Sequence, residues 1–150
     1  MFKPSRILIP TDMSHHADKA IRQGFEIARQ FGSEVYVLHV VQDHVQQCTV
    51  DYCIDVKLAE DLQKQVMEGA RNAIKKQVER LVGEDATKAT LDVKDGVPYD
   101  QILKDADERA TDLIVISSLG TTGLGKYLIG SVARHVLLGA KCSVLLVREA

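Results

Sequence analysis

The chain has 150 residues, 45% apolar and 27% charged, close to soluble globular averages and enough to bury the core of one domain. A net charge of −2 leaves no electrostatic footprint for nucleic acid, and no apolar run approaches the roughly 20 residues that span a bilayer. The sequence therefore predicts one domain over residues 1–150, with neither a nucleic-acid partner nor membrane insertion.

The N-terminal MFKPSRILIPTD has no signal-peptide h-region or small-residue cleavage site and reads as the first strand of a cytoplasmic protein. Arg6 to Pro10 is a compact apolar strand ended by a proline that cannot donate to a ladder. Thr11, Asp12 and Ser14 then offer cap-type side chains, with Ser14 alone sufficient for the cap. Ala17, Ala20, Ile21, Gly24, Phe25 and Ala28 recur at helical spacing up to Gly32. Glu34 to Val41 is a second strand, apolar almost throughout, as one covered on both faces should be.

Residues 42–55 are polar and read as a loop. Cys48 and Cys53 lie there with His44, spaced poorly for a metal site. With Cys142 in an apolar strand pattern, the three cysteines read as reduced thiols. From Val56, the residues Leu62, Val66, Ala70, Ile74, Val78 and Leu81 repeat every third or fourth position, predicting the longest helix, ending near Gly83. Thr90 to Lys94 alternates like an edge strand. Gly96 and Pro98 lead into a third helix with Ile102, Leu103 and Ala106 inward, and its Asp105, Asp107 and Glu108 read as a solvated face. Leu113 to Ser117 is a fourth strand, Gly130 to Leu138 a last helix closed by Gly139, and Ser143 to Val147 a fifth strand.

The order βαβαβαβαβ implies a parallel sheet with helices on both faces and right-handed crossovers. Ligands of such sheets sit beyond the carboxyl ends of strands where the winding reverses. The two strand ends richest in chemistry are Pro10-Thr11-Asp12 and Ser117 to Gly130, and they share one crevice if strands one and four are neighbours. The second is a glycine-containing loop running into a helix start, where unpaired amides and the helix dipole attract anions. Gly120 to Lys126 (GTTGLGK) fits seven positions of a P-loop. Tyr127 stands where the metal-binding hydroxyl should be, and one strand remains to carry a metal-binding Asp, so a P-loop NTPase is excluded.

The sequence resembles the universal stress protein family over essentially its whole length. The resemblance rests on RILIPTDMS, VYVLHVV, GVP, DLIVIS and GTTGLGKYLIGSVARHVLLGAKCSVLLV. The family's ATP-binding branch carries Gly, two residues, Gly, nine residues, then Gly-Ser or Gly-Thr. Gly120, Gly130 and Ser131 match this pattern, while Ser117 replaces the first glycine. The resemblance implies an α/β fold: a doubly wound, Rossmann-like, five-stranded parallel sheet in the order 3-2-1-4-5. It further implies that Gly120, Gly130, Ser131 and Val132 hold phosphates and that Asp12 holds the ribose or a metal carried by those phosphates. Pro10 and Thr11 would shape the floor, Val40 would meet adenine through its backbone, and Ser117 would lie near the ribose.

Plainer roles stand beside these. Asp12 could cap the first helix and Ser131 the last; Gly123 and Gly125 give the loop flexibility, and Lys126 is a solvated lysine or a screen for the terminal phosphate. His15 and His16 read as solvated, His39 as hydrogen-bonded in the interior, and His135 as lying on a helix face. The expected function is that of a dimeric regulatory protein that binds ATP with Mg or Mn, pairing through the last strand. A slow ATPase or phosphotransferase, and a dimeric interaction protein without nucleotide, remain as alternatives.

Overall fold

The computed structural model describes residues 1–42, 55–120 and 128–148. Cys48, Cys53, His44, Gly123, Gly125, Lys126 and Tyr127 lie outside the described residues. Five strands, β1 (Arg6–Pro10), β2 (Glu34–Val41), β3 (Ala89–Asp95), β4 (Leu113–Ser117) and β5 (Ser143–Val147), form one parallel sheet in the order β3-β2-β1-β4-β5. The helices are α1 (His15–Phe31), α2 (Val56–Val82), α3 (Pro98–Glu108) and α4 (Ser131–Gly139), with a 3₁₀ turn over Gly83–Lys88 before β3.

Each strand is short and β-branched, and successive side chains leave it on opposite faces. Ile7 and Ile9 of β1 therefore join Val35, Val37 and Val115 under α1 and α2, where Ile21, Phe25, Ile74 and Val78 are buried. Leu8 points the other way, joining Leu38, Ile114 and Ile116 under α3 and α4, where Ile102, Ala106, Ala133 and Val136 close the second core. Helices thus cover both faces, and the central strands are apolar throughout because neither side meets water.

Register runs Arg6↔Glu34 through Pro10↔Leu38 on one side of β1, and Ile7↔Leu113 with Leu8↔Ile114 on the other. Winding proceeds outward through β2 and β3, then returns past β1 to β4 and β5. The β1–β4 boundary is the reversal point, and the loops after both strands open on the same sheet end.

Three details correct the sequence reading. Gly139 is the last helical residue of α4, with Ala140 extended beyond it, so it is no left-handed stop. A Cβ on Gly139 would fall 2.7 Å from Leu103 Cδ1, so its missing side chain lets α3 and α4 pack closely. Cys142 precedes β5, as a free thiol pushed up by burial. Asp105 is not on a solvated face: it is 1% exposed, paired with Lys94 Nζ at 2.8 Å and Arg109 Nε at 2.9 Å. Ile102, Asp105, Ala106 and Arg109 form one inward helical stripe, so the carboxylate is carried under α3 and met there by two cations. Arg109 also reaches Asp92 at 3.0 Å and lies 4.5 Å above the Tyr36 ring. Burial works against the Lys94 ammonium, but its bond to Asp105, aided by Glu108, outweighs that and holds it above the ordinary lysine value.

Candidate functional site

At the β1–β4 reversal lies a crevice of about 550 Å³, within the usual range for small-molecule sites. Pro10, Thr11, Asp12, Val40, Ser117, Gly120, Gly130, Ser131 and Val132 all line it. These candidate residues therefore share one wall system, while Lys126, the candidate phosphate screen, lies outside the described residues.

The β1 side is built around Asp12. Its Oδ1 accepts from the Ser14 amide at 3.0 Å and from the Ser14 hydroxyl at 2.5 Å, an Asx turn in front of α1. Ser14 occupies the helix-start position but makes no side-chain cap bond, because its hydroxyl is turned to Asp12. The turn forces Met13 to φ 66, an uncommon value for a residue with a side chain. Asp12 Oδ2 faces the β4 loop: a Cβ on Gly120 would stand 2.9 Å from it. Glycine at 120 is thus the condition for the carboxylate to approach this backbone.

Thr11 anchors the turn. Its amide donates to the Leu38 carbonyl at 2.8 Å, and its own carbonyl accepts from His39 Nδ1 at 2.8 Å. The Thr11 hydroxyl accepts from the Met13 amide at 3.0 Å and donates to Gln77 Oε1 of α2 at 2.8 Å. His39 is accordingly hydrogen-bonded as expected, but it is half-buried and not an interior residue.

On the other side, the ends of the β4 loop are pinched together. The Gly130 amide donates to Ser118 O at 2.7 Å, and the Ser118 amide donates to Val147 O at 2.8 Å. Gly130, not Ser131, occupies the N-cap position, and Ser131 is the first residue of α4. The first intrahelical donor is the Arg134 amide, to Gly130 O at 3.0 Å. The amides of Ser131, Val132 and Ala133 consequently have no intrahelical acceptor. Ser117 Oγ folds back to the Leu119 carbonyl at 2.8 Å, so the hydroxyl that replaces a glycine braces the loop. His135 does lie on a helix face, where its Nδ1 donates to Ser131 O at 2.7 Å and its ring stacks on Tyr99 at 4.4 Å.

The crevice is chemically graded. Leu38, Val40, Val41, Val66, Ile102 and Ile116 make an apolar wall suited to a flat ring, Asp12 offers one carboxylate oxygen, and the α4 amides offer donors to anions. Among the described residues no group of three His, Cys, Asp or Glu side chains converges as a metal site. Sequence reading missed Gln77, which is buried between Ile74 and Val78 on the inward stripe of α2. A polar residue at such a position is itself a signal that something across the interface must satisfy it.

A model of the universal stress protein family matches residues 3–148. Universal stress protein MJ0531 of Methanocaldococcus jannaschii is 35% identical over 144 residues, covering 96% of this chain and 82% of that one. The solved structure of MJ0577, from the same organism, superposes with a TM-score of 0.80 at 27% identity, over 97% of this chain and 96% of the other. A universal stress protein solved in complex with cAMP shares the fold, with a TM-score of 0.62 at 20% identity, over 99% of this chain and 100% of that one.

Proposed function

The chain belongs to the universal stress protein family, and we propose that it binds ATP in the β1–β4 crevice and acts as a cytoplasmic, dimeric regulatory protein of the stress response. The observation that carries this reading is the approach of Asp12 Oδ2 to the side-chain-free backbone at Gly120, beside the amides that open α4 without an intrahelical acceptor. Adenine takes the apolar wall, with Val40 offering main-chain groups to its edge. A ribose hydroxyl donates to Asp12, and the phosphates meet the backbone of Gly120, Gly130, Ser131 and Val132. Mg or Mn arrives on the phosphates, with Asp12 as the carboxylate in reach. The neighbour solved with cAMP is a precedent for an adenine nucleotide on this fold.

Regulation suits these residues better than turnover. Phosphoryl transfer needs metal ligands, a group that orients the nucleophile and neutralisation of the γ-phosphate. Asp12 is the one carboxylate among the described lining residues, and one of its oxygens is committed to Ser14. ATP then signals by favouring one conformation through differential affinity. Dimerisation is assigned to β5, an edge strand with Leu145 37% exposed.

The test is equilibrium binding of ATP, AMP and GTP to the purified chain, with size-exclusion chromatography on the same samples. Saturable ATP binding, weakened but still measurable in Asp12→Ala, and a dimer are expected. Absence of adenine-nucleotide binding overturns the reading.

A further inference from the structure

Resting on the crevice reading, we propose that Gln77 of α2 is a positioning residue for the nucleotide site, acting through Thr11 on the direction of the Asp12 carboxylate. The Asp12 turn is not self-sufficient, because Met13 is held at φ 66, where a side chain is strained. What holds it is a chain of hydrogen bonds whose polarity is fixed from its far end. Arg80 Nη2 donates to Asp18 at 3.0 Å, and the Asp18 carboxylate can only accept. Gln77 Nε2 lies 2.9 Å from Asp18 Oδ1 and 3.4 Å from Ser14 O, so the amide is oriented with its nitrogen toward α1. Its oxygen is thereby turned to Thr11, 2.8 Å away, and must accept the single hydroxyl proton. The Thr11 oxygen is then left to accept from the Met13 amide at 3.0 Å.

The sequence of donors runs Met13 to Thr11 to Gln77 to Asp18, in one direction only. Thr11 and Gln77 are both buried, so a lost member leaves its neighbour in the chain short of a hydrogen bond. Loss of Gln77 frees the Thr11 hydroxyl to rotate, weakens its hold on Met13 and lets the strained turn relax. The turn then no longer presents Asp12 Oδ2 to the loop at Gly120. Because α2 also lines the crevice through Gln63 and Val66, one helix both walls the site and sets its carboxylate.

The test compares ATP affinity in wild type, Gln77→Met, Asp12→Ala and the double variant, with urea stability measured on each. Gln77→Met is expected to weaken ATP binding about tenfold, and to cause no further loss in the Asp12→Ala background. Asp18→Asn, milder for folding, should act in the same direction and likewise have no effect once Asp12 is gone. An unchanged ATP affinity in folded Gln77→Met, or an equal loss with and without Asp12, overturns the assignment while leaving the crevice reading intact. Wild-type protein that binds no adenine nucleotide overturns both.

Discussion

Asp12 has two oxygens in two environments, and the difference decides what it can do. Oδ1 is saturated by Ser14, whereas Oδ2 looks across the crevice at Gly120. A carboxylate so divided is an acceptor for a single donor, such as a sugar hydroxyl, more readily than a bidentate metal clamp. Gly120→Ala should therefore damage the site without damaging the fold. The new methyl group would lie 2.9 Å from Oδ2, and either the carboxylate swings away or the loop retreats. A loss of ATP affinity of tenfold or more, about 1.4 kcal/mol, is expected in calorimetric titration, with urea stability changed by less than ~0.5 kcal/mol. Equal affinity in the variant would show that this approach plays no part in binding. Ser117 belongs to the same scale. Its identity could be read as a departure from glycine, but its internal bond to Leu119 O could not, because a hydroxyl's partner depends on how the loop folds back.

Helix ends show how far local pattern carries and where it fails. Gly32 ends α1 with φ 70, and the Ser33 amide returns to Ala28 O, the closure its sequence position suggested. The end of α3 uses the same geometry with the wrong residue. The Thr111 amide bonds Ala106 O, the Ala110 amide bonds Asp107 O, and Ala110 sits at φ 51. No glycine marked this stop, so the pattern was silent there. At Gly139 a glycine was present but serves interhelical contact with Leu103 instead. The contrast gives a direct test. Ala110 is exposed, so Ala110→Gly removes left-handed strain and little packing, and should stabilise the protein by about 1 kcal/mol in urea titrations. Destabilisation would mean that lost chain stiffness outweighs the relieved strain. Asp105 makes the same point for faces. Its charge suggested solvent, whereas its place on the Ile102–Ala106 stripe assigned it inward, and stripe position prevailed because Lys94 and Arg109 could reach it.

At the scale of the whole molecule, apolar strand runs and helical period were enough to read the described strands and α-helices, though not the 3₁₀ turn over Gly83–Lys88, because both faces of the sheet are covered and burial shows in composition. The order of strands followed from family resemblance, since nothing within a parallel strand names its neighbour. The central β1–β4 pair has an aspartate at each end, and the one at the amino ends ties it. At the carboxyl ends Asp12 faces Gly120. At the amino ends Asp112, just before β4, accepts from the Ser5 amide at 2.8 Å, the Ser5 hydroxyl at 2.6 Å and the Arg6 amide at 3.2 Å. Burial alone would raise the Asp112 carboxyl, but the Ser5 bonds, with the Arg6 amide and charge, outweigh it and hold it below the ordinary 3.8. A carboxylate whose folded value is depressed binds its proton more readily in the unfolded chain. Its contribution is therefore complete above about pH 3.8 and is lost as pH falls through the lower folded value. Asp112→Ala should lower stability by about 1–2 kcal/mol at pH 7, a figure kept modest because the group is partly solvated. The gap between variant and wild type should narrow as pH falls below 3.8. Urea unfolding of both proteins from pH 7 down to pH 2.5 measures it. A gap that stays constant or widens toward acid would assign the clamp to hydrogen bonds indifferent to charge.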